Sequence, residues 1–372
     1  MDPQRQFCHN PDCPDRGRVG QGNIGVFSEK ERRYECKTCG KTFAASSGTP
    51  FYRLRTGVDL VTLVLTLLCH GCPIQAIVAA FGFDERTVAD WQARAGEHCE
   101  QVHAHLVQQG QVDLGHVQAD EIWVKMVGRR VWMAMALAVP SRLWLGGVIS
   151  PHRDRALIES LVEKVRAAAS SPAILVCVDG LASYVTAFLR VFRHPIYTGK
   201  RGRPRLVVEP GLLLGQVVKQ HAKRRVVSVK RRVVRGTPEA VTAVLAATGT
   251  GQGINTAFIE RLNATFRASL GPLVRRGRAI AHRMATLQAG MCLVGSAYNL
   301  CWYHESLRQP APEGASRKWQ ERTPAMAAGL TDHRWTMLEL LSYQLPLPAW
   351  VAPKRRGHRP KQAQQLPMAV AA

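Results

Sequence analysis

Hydrophobic positions change their period several times along this chain, and each change marks an element. Residues 1–50 show few apolar positions in any regular spacing and read as a small unit with little core of its own. From 57 to 97 the spacing is helical, beginning with an apolar helix over 58–69. Around 114 the pattern turns to short β-rich runs. The stretches 116–125, 130–139 and 142–149 read as an antiparallel meander, with Pro140, Ser141 and Arg142 breaking the last two apart. A helix over 154–168 leads into the continuous apolar run from Ala173 to Val178, the signature of a strand buried on both faces, and a helix over 181–190 follows. Gly, Pro and Arg interrupt at 199–211, a basic β-like segment runs to Arg235, and helical patterning holds from Pro238 to about residue 304. Strands alternating with helices predict an α/β fold.

Within the first helical region, residues 73–95 carry a finer signal. Pro73 can start a helix with Ile77 and Phe81 on its apolar face, Gly82 supplies a turn, and Asp84 can cap a second helix. Val88, Trp91 and Ala95 form the inner stripe of that second helix, which leaves Arg86, Thr87, Asp90 and Arg94 outward, as a recognition helix in a major groove requires. An ordinary three-helix packing unit has the same pattern. The sequence leaves both open.

Four of the ten cysteines fall in the core-poor N-terminal segment, as Cys8-x4-Cys13 and Cys36-x2-Cys39. Each pair can aim two thiolates at one ion, and so few apolar neighbours cannot bury four free thiols. One structural Zn²⁺ in a small ribbon is the expectation. Cys69-x2-Cys72 sits at the end of an apolar helix, where a core role suffices.

Three acidic residues stand out against their surroundings. Asp120 interrupts an apolar alternation, and Asp179 closes the buried run beside Gly180, where it can also cap the following helix. Glu260 shares a helical face with Asn263 and Arg267, opposite Phe258, Ile259, Leu262 and Phe266. A solvated helix face is the plainer reading of that pattern. Glu121 alternates to the other side of its strand from Asp120 and is not expected as a ligand.

Charge narrows the partner. Lys and Arg outnumber Asp and Glu by 50 to 27, a formal net charge of +23, which points to a polyanion, most commonly nucleic acid. No apolar segment approaches the roughly 20 residues a bilayer requires, and no signal-type segment opens the chain. A cytoplasmic, nucleoid-associated protein without a membrane partner is expected, with thiols held reduced.

Taken in order, Asp-Glu-x-Trp at 120–123, Asp-Gly-x-x-x-Tyr at 179–184 and Glu-Arg-x-Asn-x-x-x-Arg at 260–267 resemble the signatures of DDE transposases, in particular the IS-one-type insertion-sequence group. The resemblance spans roughly residues 8–305 and includes the basic run with Arg275, Arg276 and Arg278. It implies a zinc ribbon over 1–50, a helix-turn-helix domain over 51–110, and a ribonuclease-H-like catalytic domain over 111–305. That core would hold a five-stranded mixed sheet, with Asp120 on the first strand, Asp179 ending the fourth and Glu260 on a helix beside them. Its implied cofactors are two Mg²⁺ or Mn²⁺ ions on Asp120, Asp179 and Glu260, in addition to the ribbon zinc. Its implied partners are element ends and target DNA, with a homodimer or higher assembly at synapsis. Arg86, Thr87, Arg94, Arg261, Asn263, Arg267, Arg275 and Arg276 are the expected DNA contacts of these motifs.

The gap from Asp179 to Glu260 is longer than this group leads one to expect, so residues from about 199 to 253 read as a basic insertion. It contains Gly199-Lys-Arg201-Gly-Arg203-Pro-Arg205, which looks like an AT-hook core whose arginines contact DNA. Residues 306–372 read as a C-terminal extension ending in a basic, disordered tail. Two other functions remain open, a non-catalytic DNA-binding relative and a ribonuclease-H-like nuclease without strand transfer.

Overall fold

The computed structural model describes residues 1–197, 199, 201–223, 225–251, 253–274, 279–312, 314 and 316–352. They divide into two compact units, residues 1–47 with the segment from Pro346, and residues Gly48–Leu345. Residues 353–372 of the expected tail lie outside the described residues, as does Lys200 of the AT-hook-like string.

The first unit is built on a three-stranded antiparallel sheet of β1 (Ile24–Ser28), β2 (Arg33–Cys36) and β3 (Thr42–Ala44). Its core amounts to Ile24 and Tyr34 around the sulfurs, with Phe43 stacked on Tyr34 at 5.8 Å. The turn between β2 and β3 carries Cys39, and Gly40 takes the left-handed φ of +66° that a side chain would strain. Cys8 and Cys39 sulfurs lie 3.7 Å apart, and those of Cys13 and Cys36 lie 3.8 Å apart. The four thiols occupy the place of a hydrophobic core.

The second unit opens with α1 (Val58–Cys69), α2 (Ile74–Phe81) and α3 (Glu85–Val107). The expected punctuation is present. Gly82 ends α2 in the left-handed region at φ +70°, and the Asp84 carboxylate caps α3 by accepting from the Arg86 amide at 2.8 Å. α3 runs well past the stretch read as a recognition helix.

A six-stranded mixed sheet follows. It comprises β4 (His116–Met126), β5 (Arg129–Ala138), β6 (Leu143–Ser150), β7 (Leu175–Asp179) and, after a separate two-stranded hairpin of β8 (Arg193–Ile196) and β9 (Arg205–Val208), β10 (Leu213–Ala222) and β11 (Arg225–Arg235). Helix α4 (Arg155–Ala168) precedes β7 and α5 (Ala182–Val191) follows it. The order is β11-β10-β7-β4-β5-β6. β4, β5 and β6 form the meander, β7 lies parallel to both β4 and β10, and β11 is the antiparallel edge. Besides being paired along both edges, β7 is buried on both faces from Leu175 to Val178, which is why that stretch reads as an unbroken apolar run.

The expectation of five strands is corrected to six. The fifth and sixth come from the segment read as an insertion, because β10 pairs with β7 from Leu213 opposite Leu175 to Val217 opposite Asp179. Helices α6 (Pro238–Ala247), α7 (Ala257–Ser269) and α8 (Met284–Leu300) complete the layers. Where α3 crosses α8, a Cβ on Gly96 would fall 2.4 Å from the Ala289 Cα, so the absence of a side chain sets how closely the axes approach. Short helices α9 (Pro324–Ala327) and α10 (Met337–Ser342) close over this pair, with Leu340 and Leu341 buried and the Leu340 carbonyl 3.1 Å from His98 Nε2. The segment up to Leu345 therefore belongs to the same unit as the sheet. No helix among the described residues is long and apolar enough to cross a membrane.

Candidate metal centre

The centre is a consequence of strand lengths. β4 and β7 pair in parallel only as far as Gln118 opposite Cys177. Continuing that register sets Asp120 level with Asp179, just where β7 stops and the ladder has ended. Carboxylate oxygens of Asp120, Glu121 and Asp179 there lie within 4.8 Å of one another.

Alternation along β4 is as expected, yet its consequence for Glu121 is not. Asp120 turns toward α7 and accepts from Asn263 Nδ2 at 2.8 Å. Glu121 turns the other way, accepting from Tyr184 Oη at 2.7 Å and from Arg153 through Nε at 2.7 Å and through Nη2. Beyond the end of β7 both side chains still reach the Asp179 carboxylate, so Glu121 joins the cluster that sequence reasoning kept it out of. Asp179 is not the cap of the following helix, the alternative role read for it: its Oδ1 accepts from the Leu181 amide at 2.9 Å in the turn before α5, whose N-cap position is held by Leu181. Its Oδ2 stands 3.9 Å from Arg153.

Glu260 lies outside this cluster of three. Its Oε1 accepts from Lys219 Nζ at 2.7 Å and from Thr256 Oγ1 at 3.0 Å. Even so, its charge is felt at Asp120. α7 is pinned to β4 by a residue the sequence reading missed. Gln118 Oε1 accepts from the Phe258 and Ile259 amides at 3.0 and 3.1 Å, while Nε2 donates to the Asn255 carbonyl at 2.8 Å. The signal was available: His116, Gln118 and Asp120 share one face of an apolar strand, and the first two are fully buried. A polar trio there needs partners.

Electrostatics agrees with the geometry. Burial, followed by the charges of Glu121, Asp179 and Glu260, pushes the Asp120 carboxyl up to about 7. Burial also raises Glu121, against the opposing hydrogen bonds from Tyr184 and Arg153. At Glu260 burial acts upward too, but Lys219 and Thr256 outweigh it and hold the group below the usual carboxylate range. Crowded, half-desolvated carboxylates of this kind suit a hard divalent cation, which supplies the missing positive charge and prefers oxygen ligands.

The other expected site residues are scattered. Arg86 is exposed and Thr87 half-buried at the start of α3, while Arg94 is tied to Asp90 at 2.8 Å and to the Tyr52 carbonyl at 3.2 Å. Arg201, Arg203 and Arg205 are exposed in or beside the link from β8 to β9. Arg261 is exposed on α7 and Arg267 half-buried. Asn263, expected among the DNA contacts, is 1% exposed and faces inward to Asp120, which corrects its role to one within the site. Arg275, Arg276 and Arg278 lie outside the described residues.

In the first unit, Cys8, Cys13, Cys36 and Cys39 place four sulfurs within reach of one ion. Burial raises the Cys8 and Cys13 thiols and acts upward on Cys39 as well, where the Lys41 amide and Asn10 side chain prevail and bring it down to about 7. The quartet can bind a structural metal, and four sulfur ligands suit zinc. No protein-family model and no curated protein matches this chain.

Proposed function

We propose that the chain is a DDE-type transposase of the IS-one-like group, cleaving DNA strands and joining them at the ends of an insertion sequence. The observation that carries this reading is the meeting of Asp120 and Glu121, midway along β4, with Asp179 at the end of the parallel strand β7, and Glu260 on the adjoining helix. The strand order supports it: an antiparallel meander followed by two parallel strands on the side of its first strand is the arrangement a ribonuclease-H-like core calls for. The four-cysteine ribbon, the capped helix pair with Arg86 outward and the charge of +23 fit a DNA substrate.

Asp120 and Asp179, with Glu121 and Glu260, are the residues that would hold Mg²⁺ or Mn²⁺. Held there, such cations would supply Lewis-acid activation of the attacking oxygen and stabilisation of the leaving one. The protein's part is positioning. Asn263 fixes the Asp120 rotamer, Tyr184 and Arg153 fix Glu121, and Gln118 fixes the start of the helix that carries Glu260.

The test is strand cleavage and joining on the element's own ends with Mg²⁺ or Mn²⁺. Asp120→Ala and Asp179→Ala are expected to abolish both steps, and Glu260→Ala to cripple them. Free ends without joined products would mark a nuclease instead. DNA binding with no cleavage under any metal would leave a non-catalytic relative.

A further inference from the structure

β10 does not stop where its parallel partner stops. It pairs with β7 up to Val217 opposite Asp179, then continues to Ala222 with only β11 beside it. Past the level of the carboxylates, where β7 has ended and β4 continues with β5 on the other side, residues 218–222 and 225–230 thus form a separate two-stranded ribbon about 14–17 Å long at 3.4 Å per residue.

The charge of this ribbon is one-sided. From Leu213 to Arg235 there are eight Lys or Arg and no Asp or Glu. The cations divide by position. At the sheet-bound end, Arg231 donates to the Ile254 carbonyl, Arg232 to Gln216 and Arg235 to the Glu209 carbonyl. At the level of the site, Lys219 pairs with Glu260. On the projecting part, Lys223, Arg225 and Lys230 are exposed and have no ion pair among the described residues. Val226, Val227 and Val229 are also 51%, 62% and 41% exposed.

We propose that this ribbon is a DNA-binding arm that enters the major groove of the duplex held at the carboxylate site. The inference rests on the reading of the chain as a DNA-processing enzyme and names an interaction that reading does not require. A major groove about 12 Å wide and 8.5 Å deep admits a two-stranded ribbon. The unpaired cations on its strands and turn meet phosphates at the groove walls, and the exposed valines can lie against thymine methyl groups. A second copy of the chain pairing along the open edge of β11 is the competing occupant. It is disfavoured because antiparallel self-pairing would set Arg225, Lys230, Arg231 and Arg232 against their own kind with no acid to offset them.

The arm can be tested without catalysis. The full chain and a Lys223→Gln/Arg225→Gln/Lys230→Gln variant are compared for binding a 30-base-pair duplex by fluorescence anisotropy, without Mg²⁺ or Mn²⁺, over a series of salt concentrations. Every phosphate that the variant leaves unneutralised flattens the log Kd against log salt slope by about 0.9, so the slope is expected to fall by roughly 2–3. Methyl green, a major-groove ligand, should displace the wild-type arm from DNA, whereas netropsin in the minor groove should not. An unchanged slope in a variant with wild-type melting temperature overturns the proposal. So does competition by netropsin alone, or a concentration-dependent dimer in sedimentation that the substitutions dissolve. If the slope is unchanged while cleavage still needs Asp120 and Asp179, the arm fails and the proposed function stands. If the slope falls but no metal supports cleavage, the reverse holds.

Discussion

Removing the charge of Asp120 should stabilise the protein while disabling it. Its carboxyl is raised from an ordinary 3.8 to about 7 by burial and by three neighbouring carboxylates. A shift of that size corresponds to about 4 kcal/mol of penalty on the ionised form. Partial contact with solvent at the strand end reduces this to roughly 2–3 kcal/mol. The sign follows from linkage. The folded state holds this proton more tightly than the unfolded chain, so the penalty is full above pH 7, shrinks as pH falls toward 3.8, and is absent below it. Asp120→Asn keeps an acceptor for Asn263 Nδ2 and removes the charge. In buffer free of added Mg²⁺ and Mn²⁺, the variant should be about 2–3 kcal/mol more stable than wild type at pH 8 and equal to it near pH 3.5. Urea unfolding followed by tryptophan fluorescence reads the relevant unit, since seven of the eight tryptophans lie between Gly48 and Leu345. Adding Mn²⁺ should stabilise wild type and leave the variant nearly unmoved. A variant that is neutral or destabilised at pH 8, or one whose gain persists unchanged at pH 3.5, would refute the account of the cluster as a strained, cation-seeking site.

Four further outcomes follow from the same geometry. Glu121→Gln should weaken Mn²⁺ binding in calorimetry about as much as Asp179→Asn, and equal affinity for Glu121→Gln and wild type would remove Glu121 from the centre. Gly96→Ala should cost about 1–3 kcal/mol or more in thermal unfolding, because the added Cβ meets the Ala289 backbone. Burial holds both His103 and His116 down to about 4. The unfolded chain therefore takes up protons first, and stability should fall between pH 6.5 and 4 by on the order of 3 kcal/mol per histidine, an amount that His103→Gln and His116→Gln should each reduce. Elemental analysis should find one zinc per chain, lost in Cys13→Ser together with the near-ultraviolet dichroism of Tyr34.

Much of this architecture was legible because local chemistry and global packing agree. Gly82 and Asp84 announce the turn and cap between α2 and α3, and the apolar run ending at Asp179 announces a central strand. The length of α3 was hidden by Gly96, His98 and His103, which dilute its apolar stripe. Gly96 is there for a close crossing with α8, and the histidines are buried there. Glu121 was misread because period-2 alternation assumes a continuing sheet, and the sheet has lost its neighbour strand at that point. Gln118 was overlooked because a buried glutamine declares no chemistry until the helix it anchors is in view. β10 and β11 read as part of an insertion because the gap from Asp179 to Glu260 is long for the resembled group, and gap length says nothing of the pairing that sets β10 beside β7.

The long third helix has a consequence for how position along DNA would be measured. α3 spans 23 residues, about 35 Å, and is one unbroken rod from exposed Arg86 to the crossing with α8 behind the sheet. On the proposed reading, the end that reads bases and the centre that cuts them share a single ruler with no joint. The distance from the recognised sequence to the cut would then be fixed by the fold. Inserting a residue in the rod between Arg86 and the crossing at Gly96 would rotate the reading face by about 100° and advance it about 1.5 Å. On the proposed reading, the protein should then lose its register altogether rather than cut one nucleotide further along.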